Sequence, residues 1–397
     1  MGQFRFLTAG ESHGKGLVAI VEGMVADLPL EERHINEQLK RRQQGYGRGP
    51  RMKIEKDKAE IMAGVRYGLT TGSPIALFIT NRDWQNWQEQ LSVPPIEKEA
   101  EPVTCPRPGH ADLAGVTKYG LEDIRPIMER ASARETASRV AVGAIARRFL
   151  EELGIAIHSH TIAVGRHHWE QSKASSIDWH KVEASPVRCA NPKLEKAAMA
   201  AIDEAKANGD TLGGIFEVIA SGIPIGLGSH VSWDRRLDGQ IAQAIMSINA
   251  VKGVEIGAGF ALAELKGSQA HDVIEPASSA TASPDVIVTK QSLPWRHASN
   301  HAGGIEGGIT NGEDIIVRAA VKPIATLAKP LPSVDLRTGK VAKAHYERSD
   351  ICVVPAAGVI AEAMLAIVLA DACLDKFGGD NLKETLANYR NYLRNIS

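Results

Sequence analysis

The 397-residue chain exceeds the usual size of one domain, and its 44% hydrophobic and 23% charged residues suffice for a sizeable core. Its 46 Lys and Arg against 47 Asp and Glu leave a net charge of -1. That excludes a global field drawing the protein to nucleic acid or membranes, so any anion binding must come from a local cluster.

In chain order, the N-terminal MGQFRFLTAGESHG lacks a signal peptide's apolar core, and Phe6 stands where a myristoylation motif wants Ser or Thr. β-rich runs bounded by Gly, Pro, Asn or Asp predict strands over residues 3–7, 17–25, 74–80, 215–221, 255–265 and 314–321. A first helix is predicted over 31–42, where Lys40, Arg41 and Arg42 suit a helix C-terminus. A second begins at Ser132, because Ser132-Ala133-Arg134-Glu135 has capping-box spacing. Its stripe runs through Ala137, Val140, Ala141, Ala144, Ile145, Phe149 and Leu153, and Gly154 stops it. A third follows Asp238, with Ile241, Ile245 and Ile248 on one face, and a fourth spans 357–377 before Gly378 and Gly379. Its many alanines imply close helix packing.

The most apolar run, 353–374, holds Pro355, Glu362 and Asp371. A bilayer span of ~20 residues would bury both carboxylates, so a core helix is expected. Cys105, Cys189, Cys352 and Cys373 show no zinc-type spacing and read as reduced cytosolic thiols. No linker divides the chain, which favours one α+β unit over 1–397. Its strands and helices alternate too irregularly for a doubly wound fold, leaving helices packed on antiparallel-type sheets.

Six segments could carry chemistry. Gly10-Glu11-Ser12-His13-Gly14-Lys15-Gly16 sets an imidazole among glycines, with the wrong spacing for a phosphate-binding P-loop; it reads as a turn or a site. Arg41, Arg42, Arg48, Arg51 and Lys53, threaded by glycines and Tyr46, form a cationic loop for a small polyanion, for stacked nucleic acid or for solvent. Residues 106–112 hold His110 in a loop stiffened by Pro106 and Pro108, as a positioned proton donor requires, although a structural histidine fits as well. At Arg130–Arg134, free amides, helix dipole and two arginines would favour a phosphate. The Gly-rich stretch 299–308, followed by Lys322-Pro323-Ile324-Ala325-Thr326, lets main chain approach a flat ring or phosphate. Finally, Arg348-Ser349-Asp350 is a surface ion pair or a base beside a cation. These residues imply anion binding, two candidate histidines and a possible base, but no reaction.

In order, the segments resemble the chorismate synthase family from end to end. The strings are GESHG at Gly10, RRQQGYGRGPRM at Arg41, TTGSPIAL at Thr70, PRPGHADLAGVTKYG at Pro106, ERASARETASRVAVGA at Glu129, SINAVKGVEIGAGF at Ser247, NHAGGIEGGITNG at Asn300 and RSDICVVPAAGVIAEA at Arg348. The resemblance implies a β-α-β sandwich, with a central helical layer between antiparallel sheets, assembled as a cytoplasmic homotetramer. It implies an anti 1,4-elimination of phosphate and the C6 hydrogen from 5-enolpyruvylshikimate 3-phosphate, giving chorismate. Reduced FMN is required without net redox change.

Matched motif by motif, His13 would protonate the departing phosphate, His110 would act on the flavin ring, and Asp350 would help flavin N5 take the C6 proton. Flavin contacts would be Arg130, Ala131, Ser132, Asn249, Ala250, Gly307, Lys322, Pro323, Ile324, Ala325, Thr326 and Arg348. Ala131 and Ala325 stand where a hydroxyl residue is often expected. Arg42, Arg48, Arg107, Arg134 and Arg348 would clamp the anionic substrate, and Arg42 and Arg48 also match positions associated with NADPH. No metal is implied. NADPH or an external flavin reductase could supply the reductant. Two rivals remain: an NADPH-dependent flavin reductase, and a nucleic-acid-binding protein using the Arg41–Lys53 loop, which steep salt dependence would reveal.

Overall fold

Strand periodicity places apolar side chains on the inner faces of two antiparallel sheets, with helices layered between them. The computed structural model describes residues 4–49, 56–97, 100–169, 177–277, 293–347 and 349–396. The first sheet comprises β1 (Arg5–Gly10), β2 (Gly16–Glu22), β3 (Ala59–Ala63) and β4 (Ile75–Thr80), in the order β1-β2-β4-β3. Leu17, Ala19 and Val21 of β2 and Ile75, Leu77 and Ile79 of β4 point inward and are buried, while Val18 and Ile20 point out. The second sheet comprises β5 (Ala156–Val164), β6 (His167–His168), β7 (Gly214–Ser221), β8 (Val251–Ile256) and β9 (Ile315–Val321), in the order β8-β9-β7-β5-β6.

The longer helices are α1 (Glu32–Gln43), α2 (Asp112–Tyr119), α3 (Arg125–Arg130), α4 (Thr136–Glu152), α5 (Pro192–Ala207), α6 (Leu237–Met246), α7 (Val354–Phe377) and α8 (Leu382–Ile396). Helix α4 touches β1 and β2 of one sheet and β5 of the other, while α7 packs on α4, β5 and β7. One hydrophobic core therefore runs from Leu17 and Leu77 through Val140 and Leu365 to Phe216. Helix α7 is long and apolar enough to cross a membrane, yet most of it is buried between the sheets, as its two carboxylates led us to expect.

Several boundaries differ from the sequence reading. Residues 255–265 are not one strand: β8 ends at Ile256, Gly257 and Gly259 take positive φ, and a 3-10 helix follows over Gly259–Glu264. Ser132 caps a 3-10 turn by accepting the Arg134 amide, and α4 proper starts at Thr136. The capping box does not form, because the Glu135 carboxylate instead accepts from Thr8 at 2.9 Å and Arg139 at 2.9 Å. Helix α7 starts three residues early, at Val354, since Pro355 fits a first turn whose amides need no partner. Strands β3, β5 and β6 and helices α2, α3, α5 and α8 were not predicted. Asn191, whose side chain accepts the Lys193 and Leu194 amides ahead of Pro192 at the first turn, was the missed signal for α5.

The expected close helix packing occurs where α4 crosses α7: a Cβ added to Gly143 would stand 2.4 Å from Ala363 Cβ. Alanine favours a helix interior over glycine by about 1 kcal/mol, but overpacking here forces two buried helices apart. Gly143→Ala is expected to destabilise the fold by about 1–3 kcal/mol. A denaturant midpoint equal to or above wild type would show that the crossing has slack.

Candidate functional site

The loop between β1 and β2 carries His13, which is 9% exposed. Glu129, at the end of α3, receives the His13 amide at 2.7 Å and lies 2.9 Å from His13 Nδ1. Trp87 stacks on the imidazole at 4.1 Å. Asn81 holds the loop from below, donating to the carbonyls of Glu11 at 3.0 Å and Gly14 at 2.8 Å. Burial, with the Glu129 charge adding, raises the Glu11 carboxyl above its ordinary value.

A second imidazole is held in the same way. Buried Asp112, at the start of α2, accepts from Arg107 at 2.8 and 3.0 Å and bonds His110 Nδ1. Arg107 Nη2 also lies 3.0 Å from His110 Nδ1. One nitrogen cannot donate to a carboxylate and accept from a guanidinium, and the shorter carboxylate contact assigns the proton to Nδ1. Burial alone would raise the Asp112 carboxyl, but bonds from His110 and Arg107 hold it well below the usual carboxylate range. Arg107 also donates to Thr326 Oγ1 at 3.2 Å, and Lys322 bonds the Gly109 carbonyl, so the His110 loop rests on segment 322–326.

Glu347 joins the two histidine supports. It pairs with Arg125, itself 3.5 Å from Glu129, and lies 4.0 Å from Arg107. Burial works against ionisation, yet bonds from His345 and Arg125 bring the Glu347 carboxyl down to about 2.

The cationic cluster adjoins the His13 loop through Asn81, whose Oδ1 accepts from Arg134 at 2.9 and 2.8 Å. Arg134 also pairs with buried Asp57, which sits 3.5 Å from Arg42. Arg42 donates to Thr136 Oγ1 at 3.0 Å and to the Ala133 carbonyl at 2.8 Å. Burial lowers Arg42 to about 10; Asp57 opposes the shift, while nearby Arg48 and Arg134 add to it. Arg48 pairs with Asp350 at 3.1 Å, and Asp350 also receives the Gly49 amide. Arg42, Arg48, Arg134 and Asp350 thus converge on one polar cluster. Arg51, Lys53 and Arg348 lie outside the described residues.

Of the predicted flavin contacts, three segments meet directly. Asn249 Nδ2 donates to the Ala131 carbonyl at 3.0 Å, Ser132 bonds Ser12 at 3.1 Å, and the Lys322 amide donates to the Ala250 carbonyl at 2.9 Å. Ala250 adopts φ 69°, a left-handed conformation unusual for alanine. Arg130 reaches back to the Thr8 carbonyl at 3.0 Å. Gly307 is placed differently: it turns the short Ile305–Thr310 hairpin, whose Gly308 carbonyl receives the Leu237 amide.

The family model for chorismate synthase matches residues 4–374. The chain belongs to the chorismate synthase family. It is 56% identical to the chorismate synthase of Moorella thermoacetica, over 99% of this chain and 100% of that protein. It is 54% identical to that of Aquifex aeolicus, over 99% and 98%. A crystal structure of chorismate synthase superposes with a TM-score of 0.77 at 44% identity, covering 99% of this chain and 98% of that one. Family membership makes the chain a lyase serving aromatic amino-acid biosynthesis and establishes its mixed α+β fold.

Within this member of the family, Asn81, Asp57, Glu129, Trp87, Arg125 and Glu347 complete the candidate site, and sequence reasoning singled out none of them. Among the described residues no cluster of His, Cys, Asp or Glu suits a metal.

Glu347 generates an acid-stability prediction. Its folded value near 2 lies below the ordinary 4.5, so between those values the unfolded chain binds more protons. Its contribution is whole above about pH 4.5 and is lost as pH falls towards 2. Glu347→Gln is expected to melt below wild type at neutral pH, with the gap narrowing as pH drops through this window. A constant gap would show that ionisation of Glu347 adds nothing to stability.

Proposed function

We propose that this chain converts 5-enolpyruvylshikimate 3-phosphate to chorismate by anti 1,4-elimination of phosphate and the C6 hydrogen, with reduced FMN required and no net redox change. One observation carries the reading: in a chain of this family, two carboxylate-held imidazoles share a polar network with Arg42, Arg48, Arg107 and Arg134. The substrate bears a phosphate and two carboxylates, and guanidinium forks match both groups.

FMN fits the residues present. Asn249 Oδ1 is buried without a hydrogen-bond partner, an acceptor suited to an N–H of the flavin ring, and Arg130 and Lys322 supply cations for its phosphate. Arg130–Ser132, Asn249, Ala250 and residues 322–326 would hold it, and Arg348 and Gly307 belong to the same reading. When bound, reduced FMN supplies the electron density that weakens the C–O bond. His13 would give a proton to the departing phosphate, His110 would act on the ring, and the Asp350 carboxylate would assist removal of the C6 proton. Burial of Arg42 favours a part in shaping the anion pocket over reaching for NADPH.

Assembly as a homotetramer in the cytoplasm completes the proposal. The outer face of the first sheet is apolar and exposed at Leu7, Val18, Ile20 and Met62, with Leu7 opposite Ile20 across the ladder. A second copy of the chain would cover such a patch. Sedimentation should give four times the 42.6 kDa chain mass, and Ile20→Lys should lower it. A monomeric wild type would refute the assembly.

The deciding assay is anaerobic chorismate production with chemically reduced FMN and, in parallel, with oxidised FMN plus NADPH. Product in the first arm is expected; the second tells whether the chain reduces its own flavin or relies on an external reductase. His110→Ala and Asp350→Ala should each lower kcat by ~10²-fold or more while folding normally. Oxidation of NADPH without chorismate in either arm would favour the flavin reductase instead.

A further inference from the structure

We infer that Glu129 is the positioning residue that fixes the tautomer and orientation of His13, a role resting on the proton-donor reading above. Its carboxylate, 2% exposed at the residue level, contacts His13 twice. It accepts the His13 amide at 2.7 Å and approaches Nδ1 with both oxygens, at 2.9 and 3.1 Å. The Glu129 carbonyl receives the Ser12 amide at 3.1 Å, so the loop is bound to the end of α3 through main chain as well. Trp87 covers one imidazole face at 4.1 Å, and the planes differ by 24°. Arg125, one helical turn before Glu129, lies 3.5 Å from its carboxylate and 5.1 Å from the Trp87 ring centroid. The imidazole is thus gripped by edge, face and backbone.

An ionised carboxylate only accepts, so Nδ1 keeps its proton and Nε2 becomes the nitrogen that exchanges one. In the elimination, the imidazolium breaks its Nε2–H bond, the proton joins the departing phosphate oxygen, and the ring is left neutral with hydrogen on Nδ1. Solvent returns the proton after release. Among the described residues, the charged groups near this ring include Glu129 and Arg125 from α3 and Glu11 from its own loop. Of these, Glu129 bonds the ring directly, and its charge would favour the cation. Loop anchoring by itself would need only an acceptor for the two amides, whereas tautomer control needs the negative charge.

The test compares Glu129→Gln and Glu129→Asp in the anaerobic assay with chemically reduced FMN. Glutamine keeps an acceptor for the His13 amide but loses the charge. Its kcat is expected to fall ~10²–10³-fold with substrate KM and FMN affinity within ~3-fold, and the basic limb of its pH–rate profile should move to lower pH. Aspartate should recover a large part of kcat. Unchanged kcat and an unmoved limb in Glu129→Gln would overturn the assignment. So would equal losses in both variants with lowered thermal stability and an unmoved limb, the signature of anchoring alone. An activity-free readout follows carbethoxylation of the His13 peptide against pH by mass spectrometry. Its midpoint should shift to lower pH in Glu129→Gln, and an unshifted midpoint would overturn the clamp. A wild type that makes no chorismate would instead sink the elimination, and the modification profile would still decide the clamp.

Discussion

The crossing of α4 over α7 sets where everything else can lie. Gly143 against Ala363 lets the two helices pack backbone to side chain, and α4 then rests on both sheets while α7 rests on the second. With that crossing fixed, three helix ends meet. Arg42, in the last turn of α1, bonds Thr136 at the start of α4, while Gly45, just beyond α1, would carry a Cβ 3.5 Å from Pro355 at the start of α7. Two positive dipole ends therefore flank one place, and the basic last turn of α1 neutralises its own carbonyl end. Helix geometry thus favours an anion at this place before any ligand-facing side chain is chosen.

Glu362 keeps those helices in register. A carboxylate in the middle of the most apolar helix is expensive to bury unless its oxygens are satisfied. Here they accept from Arg41 at 2.7 Å, Arg147 at 2.8 Å, Arg188 at 3.2 Å and Ser159 at 2.6 Å. Burial opposes its charge, but the three guanidiniums hold the carboxyl far below the ordinary range. These donors come from α1, α4, β5 and the chain before α5, so sliding any one of them breaks a buried ion pair or, at β5, a buried hydrogen bond. The cluster adds orientation more than net stability, since desolvation consumes much of the Coulombic gain. Its position in the layer that carries the start of α4 links helix register to site geometry.

Sequence alone reached the loops and helix ends of the site but not their partners. His13, His110 and Arg42 stood out because glycine, proline or neighbouring charge marks them locally. Glu129, Asp57 and Asn81 did not, because a single carboxylate or amide looks ordinary until a distant segment is folded against it. Glu129 meets His13 across 116 residues and Asn81 meets Arg134 across 53. Strand β5 escaped for a related reason: its centre, His158-Ser159-His160-Thr161, has no apolar alternation, and its buried Ser159 hydroxyl and His160 Nε2 bond Glu362 and Glu217. Residues 255–265 failed in the opposite sense, since apolar spacing continued past glycines whose positive φ ends the strand.

The arginines of the site are already paired, which constrains how an anion can be received. Arg42 and Arg134 share Asp57, Arg48 holds Asp350, and Arg107 holds Asp112, so each guanidinium is fixed before a ligand arrives. Such pairing trades some attraction for preorganisation, because a free arginine would lose rotamer entropy on binding. Even Arg42, lowered to about 10, stays protonated at neutral pH. An anion bound by Arg42, as proposed, would therefore meet a cation without proton uptake at neutral pH. In the proposed reading the protons come instead from the two imidazoles, each with a carboxylate on Nδ1. Charge for binding and protons for chemistry would thus fall to different residue types within one network.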